Sequence, residues 1–125
     1  MATKTGKYSA THTDFVLTDD DVDETAVDNV FGGTATVHSL YLDAPSGESA
    51  VKLYDNADPT VGTGSATPPD FIFKVTEPVA WTIVDGITFT NLSYAAVRGD
   101  GGDPGYGDGG TTAPAVTVKL HATVR

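Results

Sequence analysis

The residues of this chain best suited to chemistry are its carboxylates, and they are densest in the run Thr18 to Asn29, TDDDVDETAVDN. Asp19, Asp21 and Asp23 have the alternate spacing with which a calcium loop opens. The match then stops. Position six, where such a loop turns on glycine, is Glu24, and position twelve, where a bidentate glutamate closes the shell, is Val30. Residues 18–29 therefore read as a solvated acidic loop. Asp100, Asp103 and Asp108 form a second acidic set in the glycine-rich stretch 98–113. Glycine-aspartate calcium coils need several tandem copies, and here there is one irregular copy. No metal and no other cofactor is expected.

Nucleophilic and acid–base arrangements are equally sparse. His12, His38 and His121 have no local ligand spacing of the i, i+2 or i, i+4 kind. Neither Ser39 nor Ser93 sits in a nucleophile elbow, and no glycine-rich loop ends in Lys-Ser or Lys-Thr. The expectation is a protein that is not an enzyme. Arg98-Gly99-Asp100 spells the integrin tripeptide, but a match of three letters arises easily by chance. Trp81, Tyr41, Tyr54, Tyr94 and Tyr106 have the chemistry of a sugar-stacking platform; all but Tyr106 lie in alternating segments and read as core.

The elements that position these groups are strands. Val, Thr, Tyr and Phe dominate the periodic segments, and no window carries a helical apolar stripe. The clearest strand is Ala115 to Val124, where Val116, Val118, Leu120, Ala122 and Val124 alternate with polar residues. Thr34 to Leu42 is a second long strand, with Val37 and Tyr41 on one face and Leu40 and Leu42 on the other, both faces covered. Shorter strands are expected at Ala50 to Tyr54, Phe71 to Val75, Trp81 to Val84, Ile87 to Thr90 and Ser93 to Val97, and a weaker one at Asp14 to Leu17. Asp85-Gly86 reads as a two-residue hairpin turn. Pro68 and Pro69 mark a loop before the Phe71 strand.

Together these predict one all-β domain, residues 14–125, an antiparallel β-sandwich or jelly roll of about seven to eight short strands, with an extended N-terminal arm at 1–13. The alternation suits a jelly roll and an immunoglobulin-like strand order equally. The expected core is Val37, Leu40, Leu53, Phe71, Phe73, Trp81, Ile83, Ile87, Phe89, Leu92, Tyr94, Val116, Val118 and Leu120.

At 125 residues the chain is long enough for one substantial core, and with no cysteine it has no disulfide framework or thiolate site. Seventeen acidic against seven basic residues give a net charge of −10, which repels phosphate backbones, so no nucleic-acid partner is expected. The opening MATKTGKYSATHT has two lysines and no apolar run after them, so neither a signal peptide nor a membrane anchor is expected. No segment approaches the ~18 apolar residues of a transmembrane helix.

From Val37 to Val97 the chain reads VHSLYLDAPSGESAVKLYDNADPTVGTGSATPPDFIFKV and then WTIVDGITFTNLSYAAV. This layout of an extended strand, a Pro and Gly turn, a KLYD strand, a TVGT loop with PPD, an FKV strand, a DGI turn and an LSYAA strand resembles small virion proteins of tailed bacteriophages. The resemblance covers about half the chain. It implies a decoration or cement subunit that binds the outer surface of the assembled head and stabilises the capsid. Its implied partners are the major capsid protein and its own copies, commonly as a homotrimer, and its implied place is the capsid exterior after synthesis in the host cytoplasm. The arm is then the expected lattice contact, through Lys4, Lys7, Tyr8 and His12, and deletion of residues 1–13 is expected to abolish capsid binding. Two alternatives stay open: a tail or head-fibre adhesion module whose loop residues Arg98, Asp100 and Tyr106 meet a host glycan, and a minor head-tail subunit of low copy number.

Overall fold

The computed structural model describes residues 2–6, 15–44, 49–62, 66–98, 114 and 117–125. Among them there is no helix, and eight strands form: β1 (Ala2–Gly6), β2 (Phe15–Val22), β3 (Ala35–Asp43), β4 (Ser49–Asp55), β5 (Phe71–Val75), β6 (Val79–Phe89), β7 (Leu92–Arg98) and β8 (Val118–Val124). They make a five-stranded sheet, β1-β2-β8-β3-β6, and a three-stranded sheet, β5-β4-β7.

The pairings are nested. β4 pairs β5, outside them β3 pairs β6, then Val27 bridges Tyr94 of β7, and outermost β2 pairs β8, all antiparallel. One long hairpin with its tip at β4–β5 is thus rolled around itself, and the pairs β3–β8 and β4–β7 sew successive turns of the roll together. That wrap is the jelly roll, and it settles the strand order that alternation leaves open. The single bridge at Val27 stands where a full roll has another strand.

Each face follows from side-chain period. In β8, Val118, Leu120, Ala122 and Val124 are buried while Lys119 between them is exposed. β3 departs from strict alternation. A register shift between Val37 and Ser39 changes its phase, so Ala35 and Val37 share the core side with Leu40 and Leu42. The expected split of Val37 from the two leucines is therefore corrected by a bulge. In β4 and β7 six successive residues are buried, Ser49–Tyr54 and Leu92–Val97, so both faces of these strands are covered.

Three further expectations change. The acidic run is not one loop: Thr18 to Val22 belong to β2, because Leu17 and Asp19 point into the sandwich and the strand carries on through the aspartates. Asp85-Gly86 does not turn a hairpin. It lies within β6, whose pairing with β3 jumps from Ser39↔Thr82 to Val37↔Ile87, so the extra residues bulge from the ladder. Gly86 has φ +74°, whereas a type I′ turn needs positive φ at both central positions. A Cβ on Gly86 would collide with the Thr36 Cγ2 methyl and reach the His38 ring, so the bulge passes close over β3. Finally, residues 2–6 of the expected arm pair with β2, from Ala2↔Asp19 to Gly6↔Phe15, as the outermost strand of the sheet. Thr3 and Thr5 are β-branched, which suits a strand; residues 7–13 of the arm lie outside the described set.

Candidate functional site

The sandwich has two long flanks, and they are finished differently. On one, β2 faces β7 and the chain between Asp23 and Val30 closes the gap. Val27 and Tyr94 exchange backbone hydrogen bonds at 2.9 and 3.2 Å, Ala96 N–H donates to the Asp23 carbonyl at 2.8 Å, and Val30 N–H donates to the Leu92 carbonyl at 2.8 Å. The Ser93 hydroxyl adds a link, accepting from Asn29 N–H at 2.7 Å and donating to the Asn56 carbonyl. Inside this flank the Tyr94 phenol donates to Asp19 Oδ2 at 2.9 Å, while Asp19 Oδ1 accepts from Asp21 N–H at 3.0 Å. Asp19 and Tyr94 are both buried. Burial first, and then the neighbouring carboxylate, push the Tyr94 phenol far above its ordinary range.

On the other flank β5 and β6 are the free edges of their sheets. Between them lies an open cleft of about 420 Å³ with Leu40 at its floor. Alternation along β5 sends Phe71 and Phe73 into it, and β6 contributes Trp81, Ile83, Val84 and the returning Ile87. The Phe73 and Trp81 rings meet across it at 4.9 Å and 46°, and Phe71 sits edge-on to Phe89 at 6.0 Å. Phe71 is 36% exposed and Val84 89% exposed. Thr82 and the Trp81 indole N–H are the only polar side-chain groups among the described lining residues. The expected core members Phe71, Phe73, Trp81, Ile83 and Ile87 thus face inward but stay partly open to solvent, because no described strand continues either sheet past them. Val116 lies outside the described residues.

A third set lines the outer face of the five-stranded sheet. His121 Nε2 is 2.8 Å from Asp20 Oδ1, and the His121 ring packs on Tyr41 at 5.6 Å, its cross-strand partner. The Tyr41 phenol donates to Asp43 Oδ2 at 3.3 Å. The hydrogen bond and charge of His121 hold the Asp20 carboxyl below its usual range. Burial, then the charge of Asp43, raises Tyr41.

The sequence-derived candidates are dispersed. Lys4 lies in β1 with its backbone opposite Leu17, and Arg98 is the exposed last residue of β7. Lys7, Tyr8, His12, Asp100, Asp103, Tyr106 and Asp108 lie outside the described residues. Asp19 turns inward to Tyr94, whereas Asp23 Oδ1 accepts from Thr25 N–H in the connecting segment. Among the described residues no three metal-type ligands converge. The hydroxyl of Ser39 is bonded to that of Thr123 at 2.6 Å, and Ser93 is held in the closed flank. The β5–β6 cleft was concealed by its own pattern: FIFKV and WTIV alternate as buried strands do, and alternation does not reveal whether a strand has a neighbour on both edges. No protein-family model, no curated protein and no solved structure matches the chain.

Proposed function

We propose that this chain is a structural protein of a tailed-phage virion, a decoration or cement subunit that binds the outer surface of the assembled head and stabilises the capsid. The observation that carries an interaction role is the β5–β6 flank: aromatic and aliphatic side chains left open to water between two free strand edges on a protein of net charge −10. Such a surface supports an interaction role, since exposed apolar patches occur at protein–protein contacts. The virion context rests on the resemblance of the Val37 to Val97 strand-and-turn layout.

With β1 paired on β2, residues 2–6 are held in the sheet, and the β5–β6 flank joins the arm as a proposed lattice contact. A subunit that binds the closed lattice and not free capsomers adds its binding free energy to the assembled state at every site, and a trimer multiplies that effect through avidity. The cleft suits a peptide better than a glycan. Sugar recognition needs converging polar groups, and the described lining offers two.

Quantitative mass spectrometry of purified virions, scaled to the major capsid protein, tests the reading. Hundreds of copies in fixed ratio to the lattice are expected. A dozen or fewer would move the protein to the tail or portal, and none would remove it from the virion.

A further inference from the structure

We propose that the β5–β6 cleft receives an extended, basic peptide segment of the partner, laid along the free edge of β6 with alternate apolar side chains in the cleft. The inference rests on the proposed docking role of that flank and names its occupant.

Three observations lead there. The first is backbone chemistry: β6 ends the five-stranded sheet, so its outward N–H and C=O groups from Val79 to Val84 lack a described strand partner. A strand added there continues the ladder, and its period of two sends every second side chain inward. The second is shape. The floor at Leu40 and the walls at Phe73, Trp81 and Ile83 are apolar, and the bulge that begins at Ile83 limits the regular stretch to Val79, Ala80, Trp81 and Thr82, roughly 13 Å of strand.

The third is charge. Glu77 follows β5 and Asp85 rides on the β6 bulge, and both are exposed; Asp70, ahead of β5, turns the other way, its Oδ2 accepting from Asp55 N–H of β4 at 2.7 Å. Lys74 is the one basic residue of β5 and β6, and since Phe71 and Phe73 enter the cleft, strand alternation puts Lys74 on the opposite face. An incoming strand flanked by lysine or arginine meets complementary charge at this rim. A second copy of the chain would bring the same two carboxylates against them, and like charges across an interface select against that pairing.

Trp81 is the only tryptophan in the chain and lines the cleft, so its emission reports occupancy. The probe is a nine-residue peptide of valines alternating with threonines with two lysines at each end; the control carries glutamates in place of the lysines. The lysine peptide should shift Trp81 emission to the blue with a saturable dependence, at least tenfold more tightly than the glutamate peptide, and added salt should narrow that difference. V84K puts a like charge against the lysine peptide and should weaken its response at least tenfold while melting with the wild type, since Val84 is almost wholly exposed.

Equal binding of the two peptides, or no response at millimolar peptide, overturns the proposal. A concentration-dependent blue shift without peptide, with sedimentation as a dimer, would make a second copy the occupant and overturn it as well. The virion count stays independent. Hundreds of copies with a silent Trp81 would keep the decoration role and remove this occupant, whereas a clear response with no copies in virions would keep the strand site and remove the phage role.

Discussion

The two flanks of the roll solve one problem in opposite ways. Where β2 meets β7, residues 23–30 lie along the edge of β7, satisfy its backbone and cover a buried Tyr94–Asp19 pair. Where β5 meets β6, the same kind of edge is left open over Phe73, Trp81 and Ile83. An edge finished with backbone hydrogen bonds and a buried polar pair belongs to the stability of the domain. One left apolar and without a described strand partner is the edge on which the proposed association rests.

Mutations separate these roles, and the largest effect falls at the bulge that shapes the open flank. G86A puts an L-residue at φ +74° and drives its methyl into the Thr36 side chain. It should cost about 2–4 kcal/mol by denaturant unfolding, the sum of a left-handed conformation and local overpacking. A loss below about 1 kcal/mol would mean that the bulge relaxes freely and the cleft has no fixed shape.

Next comes the closed flank. Y94F leaves the buried Asp19 carboxyl without the phenol and should cost about 1–3 kcal/mol at pH 7. The pH profile sharpens this. Burial pushes Tyr54 up to about 12 and Tyr94 higher still, so above the unfolded value of about 10 the unfolded chain releases protons that the folded chain keeps. Stability from both tyrosines is complete below pH 10 and declines as pH rises from there through their folded values. Y94F should decline less steeply than the wild type over that window, and parallel alkaline profiles would break the assignment.

A smaller effect lies in the closing segment itself. Burial, and then the charge of Asp58, raise the Asp28 carboxyl above its usual range. A raised carboxyl favours folding below its unfolded pKa and loses that contribution as pH rises through the folded value. D28N should therefore melt slightly higher than the wild type at pH 7 and level with it at pH 3; the reverse order would mean that Asp28 is stabilised by an attraction in the closed flank. Smallest of all is V84K, which should change stability by no more than about 0.5 kcal/mol in either direction, as exposed substitutions do. That near-silence in unfolding, beside the weakened Trp81 response, is the contrast between the flanks in its sharpest form.

How much of this was legible in the amino-acid order depended on the distance over which each feature is decided. β8 could be read from its own alternation, and β5 and β7 from their apolar and aromatic residues between turn signals. Asp19 could not, because three consecutive aspartates look solvated until Tyr94, 75 residues later, arrives to bind one of them. Asp85-Gly86 carries a true signal for positive φ, used in a bulge because β3 continues beside β6 on both sides of it. The phase change at His38 leaves no local mark, since Val37, Tyr41, Leu40 and Leu42 are all credible core residues. The cleft residues were recognisable as inward-facing, but which edges stay open is decided by the order of strands in the sheets.

The nested pairing also has a consequence for how the chain is made. β2 leaves the ribosome long before its ladder partner β8, which follows every other described strand in the chain. Through that interval β2 has β1 on one edge and an open edge on the other, exposed to neighbouring nascent chains, the situation in which β proteins aggregate. The tip pair β4–β5 is available far sooner, and folding that starts there and winds outward leaves β2 until last. Asp19, Asp20 and Asp21 then act as gatekeepers: their mutual repulsion keeps waiting strands from pairing with each other, until Tyr94 receives one carboxylate and β8 takes up the edge.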